Sequence, residues 1–361
     1  DSFLPTGLVA AELASGWGQR GGIFRWVGEA MGPGLAFTCL LILWFQTSIN
    51  FGMGVASASA TIGFYTPDWD WAVQFMNHPE NQFFIILAWL AYYWGLTFLS
   101  TKCVDPSDGR MYFHVAADGT PIRKRRYAYS ESFAAIAFAA HAKAVDSEES
   151  AKAARHWFDI FTDMCFTPGK MAPKFTGNRP TTGLGTRMIT LATAQEMRKY
   201  LGDEDGFYTG WIDRCIHDLR TLFMKPDIKA VMEVVGTDGS IIDHFDERTL
   251  NPGHTIEGGW FVLEEARYRG HDPELIKVGC DMIDWAFERG WDRENGGLLY
   301  YTDVYGKPVQ EYWHNMKFWW PHDEALIAMT LAYKLTGEER YAIRHNMVHN
   351  LSLIHISEPT R

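Results

Sequence analysis

The chain has 361 residues, 47% of them hydrophobic, and a formal charge of −11, so it is long enough for two or three domains with a sizeable core. The acidic balance excludes a general nucleic-acid binder, which would present a basic face. Its cysteines, Cys39, Cys103, Cys165, Cys215 and Cys280, show no short pairing. That fits a reducing, cytoplasmic setting and excludes both a disulfide framework and a cysteine zinc site.

Charge is unevenly spread. Positions 1–102 carry nine Asp, Glu, Lys or Arg residues, and the remaining positions carry 68. From Glu29 to Asp68 no charged side chain intervenes, and the run over 34–65 is apolar or small throughout. A second uncharged run, 83–101, follows the polar loop 68–82. Each is about the ~20 residues a helix needs to cross hydrocarbon, and Trp69, Trp71, Trp89, Tyr92, Tyr93 and Trp94 stand near the ends, where amphipathic rings settle. Two transmembrane helices in a membrane-bound segment are therefore expected over 1–102. Two long buried helices of a soluble core are the alternative. The chain opens on Asp1 without a secretory signal, and its native start is expected to lie upstream.

The rest repeats itself. Asp105-Pro-Ser-Asp-Gly109 through Pro121-Ile aligns without gaps on Asp292-Arg-Glu-Asn-Gly296 through Pro308-Val. Both read as short β-hairpins with glycine turns. Each precedes a helix rich in Ala and Leu, 133–143 and 324–334, at an offset of 191. A looser third copy, Gly236-Thr-Asp-Gly-Ser-Ile-Ile, precedes a helix that starts near His254. Periodicity predicts eight helices, at 128–145, 150–163, 186–201, 206–224, 254–270, 273–289, 321–336 and 339–350. They come in pairs, an apolar first member and an amphipathic second. Such pairs make an all-α toroid of inner and outer helices with hairpin insertions, or a helical solenoid.

In a toroid the hairpin-to-inner-helix junctions share one mouth, and polar residues there are the candidates. Asn251-Pro-Gly-His254-Thr-Ile-Glu257 places His254 and Glu257 three apart on one helix face, so that the carboxylate can orient the imidazole as a general base. A helix cap with an exposed His is the plainer alternative. Lys317-Phe-Trp319-Trp320-Pro-His322-Asp-Glu324 combines indoles that can stack on a pyranose with groups that can take its hydroxyls, or forms a Trp-Trp core plug capped by Asp323. Arg123-Lys-Arg-Arg126-Tyr-Ala-Tyr129-Ser-Glu131 opens a third helix behind a basic, solvated loop. His114, His141, His156, His217 and His345 read as surface or packing residues.

Three stretches, Tyr129-Ser-Glu-Ser-Phe-Ala-Ala-Ile, Leu250-Asn-Pro-Gly-His254-Thr-Ile-Glu-Gly-Gly-Trp-Phe and Trp319-Trp-Pro-His-Asp-Glu324-Ala-Leu, resemble signatures of the N-acylglucosamine 2-epimerase family. Gly185-Thr-Arg187-Met-Ile-Thr-Leu is a weaker fourth. The resemblance covers about 103–350 and implies an (α/α)6 toroid. It implies C2 epimerisation of N-acetylglucosamine, N-acetylmannosamine or a related aldose, or aldose–ketose isomerisation, without metal or cofactor. On the matched positions it makes His254 the acid/base and Glu257 its partner. Trp319, Trp320, His322, Glu324, Glu131 and Arg187 become sugar-site residues. The part is expected to be cytoplasmic, with a homodimer as its assembly if it associates.

A different resemblance covers 1–102: Phe3-Leu-Pro-Thr-Gly-Leu-Val-Ala-Ala-Glu12 through Gly21-Gly-Ile-Phe-Arg-Trp26 is similar to amino-acid/polyamine-type transporters. It implies a fragment, because such transporters have about a dozen spans. Transport is expected only if further spans follow in the native gene. Leu351-Ser-Leu-Ile-His through Arg361 resembles a translated sequencing adapter and is expected to be an artefactual tail. The epimerase resemblance further implies twelve helices, an early sugar-binding Arg and a late second His. With eight helices legible, the toroid is expected to be incomplete and the chain, an apparent chimera, to be inactive. A glycoside hydrolase pairing Asp323 or Glu324 with Glu131 is the rival for the same fold.

Overall fold

The computed structural model describes residues 95–172 and 179–357, with side chains as far as Leu351. The span expected over 34–65 lies outside the described residues, as does all of the second except a helical stretch over 95–102. Among the described residues no helix is long and apolar enough to cross a membrane. The chain divides into two compact units, Asp1–Phe98 and Leu99–Arg361, and the second carries the architecture below.

Eight helices among the described residues form four pairs: α1 (Tyr129–Val145) with α2 (Glu148–Phe166), α3 (Leu184–Leu201) with α4 (Phe207–Asp218), α5 (Pro252–Tyr268) with α6 (Pro273–Gly290), and α7 (Trp319–Thr336) with α8 (Glu339–Ser357). The first members pack in sequence, α1 on α3, α3 on α5 and α5 on α7, so the pairs form an arc with an inner and an outer layer.

The local chemistry explains the layering. Inner helices bury small residues, Ala134, Ala135 and Ala139 in α1 and Ala325, Ala328 and Ala332 in α7, all inaccessible to solvent. Outer helices show one apolar stripe, such as Ala154, Trp157, Phe158 and Phe161 in α2, and a charged outer face. Caps fix their starts. Ser147 accepts from Ser150 N–H, Asp272 from Glu274 and Leu275 N–H, and Asn251 from His254 N–H, each satisfying an orphan donor of the first turn. Where α5 crosses α6, a Cβ on Gly259 would meet Ile283 Cγ1 at 2.7 Å and Gly279 O at 3.1 Å. Only glycine permits that approach. One buried cluster lies among α1–α6, and a second among α5–α8.

Two boundaries differ from expectation by more than three residues. The fourth helix ends in a π-helical turn, Leu219–Phe223, and α8 runs seven residues past the expected end, to Ser357.

The strands are four antiparallel two-stranded ladders: β1 (His114–Val115) with β2 (Pro121–Arg123), β3 (Thr181–Gly183) with β6 (Val234–Gly236), β4 (Met224–Lys225) with β5 (Ala230–Val231), and β7 (Thr249–Leu250) with β8 (Thr302–Asp303). The first repeat forms its own hairpin. The second does not: Thr302–Asp303 pairs with Thr249–Leu250 instead. Arg248 accounts for the recruitment, since its Nε donates to Asp303 Oδ2 at 2.9 Å and its carbonyl accepts from Val304 N–H at 2.9 Å.

The leading turns of the two repeats do match, bond for bond. Bridges join Val104 to Met111 and Trp291 to Leu298, at equivalent positions. Asp105 N–H donates to Arg110 O and Asp292 N–H to Gly297 O, at 2.8 and 2.9 Å. A lysine ties each leading aspartate, Lys124 to Asp105 at 2.7 Å and Lys317 to Asp292 at 2.6 Å.

Candidate active site

The starts of the inner helices meet. Gly185 lies so close to Tyr129 that a Cβ would stand 3.0 Å from the phenol oxygen, and a Cβ on Gly253 would stand 2.6 Å from Trp320 Cη2. The segment between β5 and β6 adds a further link, for Glu233 O accepts from Leu184 N–H, at the start of α3, at 2.9 Å.

His254 sits in the first turn of α5 with its side chain 39% exposed. Its Nδ1 lies 3.1 and 3.2 Å from the two carboxylate oxygens of Glu233. The ring packs beside Trp320, with centroids 5.3 Å apart and planes inclined by 36°. Tyr300 stands edge-on to Trp320 at 6.1 Å and against Phe318 at 4.5 Å, completing an aromatic wall. Glu324, from the first turns of α7, accepts from Trp260 Nε1 at 2.6 Å.

The charges are coupled. Burial disfavours the His254 imidazolium, but the adjacent Glu233 carboxylate, helped by Glu257 and Glu324, outweighs it and holds the pKa above the ordinary histidine value. Burial first, then repulsion from Glu324, pushes the Glu257 carboxyl up to about 7 against the pull of His254, with Glu233 adding to the rise. Burial also raises Glu324, with Asp323 adding repulsion, while the bond from Trp260 and the charge of His254 oppose the rise. The group therefore offers an imidazole base beside a carboxyl that carries a proton for part of the time near neutrality.

The structure thus brings together His254, Glu257, Trp320 and Glu324. Four other candidates stand differently. His322 is buried, its Nε2 accepting from Leu298 N–H at 2.9 Å and its Nδ1 2.6 Å from Phe318 O. Both nitrogens are occupied by main chain, which fixes the neutral tautomer with hydrogen on Nδ1. Glu131 is also fully buried, with Oε1 accepting from Arg110 Nε at 2.9 Å and Met111 N–H at 3.0 Å. Under the offset of 191, positions 131 and 322 are equivalent, and both receive the amide of the bridged residue of their turn. Arg187 gives Nε to Asp218 at 3.0 Å and Nη1 to Thr182 Oγ1 at 2.7 Å. Trp319 is 76% exposed.

Glu233 is the residue that sequence reasoning missed. The carboxylate expected on His254 is Glu257, one turn along the helix, whereas the one bonded to it comes from a loop. The available signal was a lone acid in the apolar run Ala230-Val-Met-Glu-Val-Val235.

His244, Asp246 and Glu247 could bring donor atoms within 4.8 Å of one another around a metal ion. Arg179 is paired with one member of that group, Glu247 Oε2, at 3.1 Å.

Comparison with known proteins bears on the family and the fold. The N-acylglucosamine 2-epimerase (GlcNAc 2-epimerase) family model matches residues 89–361. The N-acylglucosamine 2-epimerase of Mus musculus is 32% identical over 243 residues, 65% of this chain and 56% of that protein. The chain therefore spans little more than half of that relative. Two solved structures share the fold at 17% identity and a TM-score of 0.59. They are a D-mannose isomerase, covering 85% of this chain and 75% of that one, and the cellobiose 2-epimerase from Bacillus thermoamylovorans B4167, covering 84% and 74%. A minor part of the chain is similar to a transporter, the glutamate/gamma-aminobutyrate antiporter of Lactococcus lactis subsp. cremoris, at 32% identity over 98 residues, 27% of this chain and 18% of that protein. The family match over three quarters of the chain establishes that it belongs to the N-acylglucosamine 2-epimerase family, whose named relatives are isomerases.

Proposed function

We propose that the His254 site removes and returns the C2 proton of an open-chain aldose, as a sugar 2-epimerase or aldose–ketose isomerase does. The observation that carries the reading is the pairing of His254 Nδ1 with Glu233. It leaves Nε2, which has no hydrogen-bond partner among the described residues, as the basic nitrogen beside Trp320. A proton α to an aldehyde is acidic enough for an imidazole once the enediolate oxygen is stabilised, and Glu257, protonated part of the time near pH 7, is the donor for that oxygen. Trp320 supplies a flat face for the apolar side of the sugar ring, and Glu324 takes a hydroxyl. N-acetylglucosamine, N-acetylmannosamine and mannose are the substrates to try.

Epimerisation needs reprotonation from the face opposite His254, and Glu257 rises from the same helix face. In our reading the four helix pairs are part of a six-pair ring that works in the cytoplasm, residues 1–102 are a separate transporter-like membrane segment, and this chain alone turns over no epimer. The test is deuterium uptake at C2 in D2O. It compares this chain with one lengthened to the span of its relatives, each with His254 intact and with His254→Ala. Loss of a positioned base costs about 10²–10⁴-fold, so the lengthened enzyme should exchange and its variant should fall by that factor. Exchange indifferent to His254→Ala sinks the proposal.

A further inference from the structure

We propose that Glu233 is the positioning residue of this site: its carboxylate holds the Nδ1–H of His254, so that Nε2 is the nitrogen presented to a substrate. This rests on the reading of His254 as the base, and three observations carry it.

The first is geometry. Both carboxylate oxygens lie within hydrogen-bond distance of the same ring nitrogen, at 3.1 and 3.2 Å, and Glu233 comes from a segment 21 residues away. Glu233 is held to a fold element by its own backbone, since its carbonyl receives the Leu184 amide that opens α3. Helix position is therefore transmitted to the imidazole through one residue: backbone to α3, side chain to α5.

The second is the contrast with Glu257. It lies on the same helix as His254, yet no hydrogen bond joins the two among the described residues. With a pKa of about 7 it is a poor permanent counter-ion. Two carboxyls near one imidazole thus divide the work, one bonded to it and one free to carry a proton.

The third is shielding. The Glu233 side chain is 19% exposed against 39% for His254, so the orienting group is the more shielded of the pair. A bond from a shielded carboxylate fixes the tautomer and raises the basicity of the opposite nitrogen.

Side chain and backbone roles separate cleanly, because substitution at 233 leaves the carbonyl bond to Leu184 in place. The experiment is a pH titration of the ¹⁵N-labelled imidazole of His254 in this chain as it stands, assigned by its loss in His254→Ala. Glu233→Gln, Glu233→Asp and wild type are compared, with the thermal midpoint recorded for each. The groups that face the ring are Glu233 from the loop, Glu257 from its own helix and Glu324 from α7. Removing one adjacent opposite charge should lower the imidazolium-to-imidazole ratio of His254 at pH 7 about tenfold in Glu233→Gln. The Nδ1–H tautomer should lose its dominance, and Glu233→Asp should restore both in part at an unchanged thermal midpoint. A His254 titration and tautomer indifferent to Glu233→Gln would overturn the assignment, as would equal effects of Gln and Asp. Because this readout needs no turnover, it can succeed while the C2 exchange test fails, in which case the pairing stands and the assigned reaction does not.

Discussion

In the unit at 104–143 the amide of Met111 is received by the carboxylate of Glu131. In the unit at 291–334 the equivalent amide, of Leu298, is received by the imidazole of His322. The backbone is the same and the charge is not. Arg110, next to Met111, puts its guanidinium on Glu131, so the first unit can bury an anion with its counter-ion beside it. The equivalent of Arg110 is Gly297, at a φ of 84°, which offers no cation. The neighbouring Lys317 is already paired with Asp292, and a neutral ring does the same bonding without needing a counter-ion. The comparison teaches that two residues resembling sugar ligands in the sequence serve as pins between a turn and an inner helix. The groups of α5 proposed to react, His254 and Glu257, lie outside these two pins.

Removing one half of the charged pin should have the largest effect on stability. Arg110→Leu leaves Glu131 buried without its cation and should cost about 3–5 kcal/mol in chemical denaturation. A loss below about 1 kcal/mol would mean that the pair is not buried in solution. The neutral pin should be weaker. His322→Leu removes the partner of the Leu298 amide and of the Phe318 carbonyl. Phe318 caps α7 and its carbonyl keeps an intrahelical partner, so the cost is that of one stranded amide, about 1–3 kcal/mol. His322→Gln can accept from one and donate to the other, and should recover most of that loss. His322→Glu should not recover it, which distinguishes a neutral requirement from a merely polar one.

Gly253→Ala tests the contact that places Trp320 beside His254. Its Cβ would stand 2.6 Å from the indole, and such overpacking typically costs about 1–3 kcal/mol. Sugar affinity should weaken with it, as isothermal titration would show.

A further effect depends on pH. Because the folded pKa of Glu257 is raised from 4.5 to about 7, the folded state holds this proton more tightly than the unfolded chain. Its contribution to stability is therefore favourable at low pH and declines as pH rises from about 4.5 to about 7. Glu257→Gln should be stabilised relative to wild type at pH 8 and should lose that advantage by pH 4. Denaturation midpoints across that range that run parallel for the two proteins would contradict the burial of Glu257 beside Glu324.

Much of the helical order was legible because each cause is local. Small residues mark the inner layer, amphipathic stripes the outer, and Asn251-Pro252 marks a start. The pins were also within reach. The offset that aligns the two helices pairs position 131 with 322, and the motif in which each stands drew attention to function instead. What the sequence could not disclose is non-local. Thr302–Asp303 leaves its hairpin for Thr249–Leu250 because Arg248 reaches Asp303, a contact across 55 residues. Glu233 meets His254 because the loop after β5 folds back onto the start of α3. Neither is a matter of spacing, and both depend on how separate elements approach.

The most direct test of the division between pins and reactive groups is one ¹⁵N measurement on the chain as it stands. Mannose or N-acetylglucosamine is titrated in while the side-chain nitrogens of His254 and His322 are followed. The account predicts that His254 Nε2 shifts with added sugar while both nitrogens of His322 stay fixed. A moving His322 with a silent His254 would contradict it.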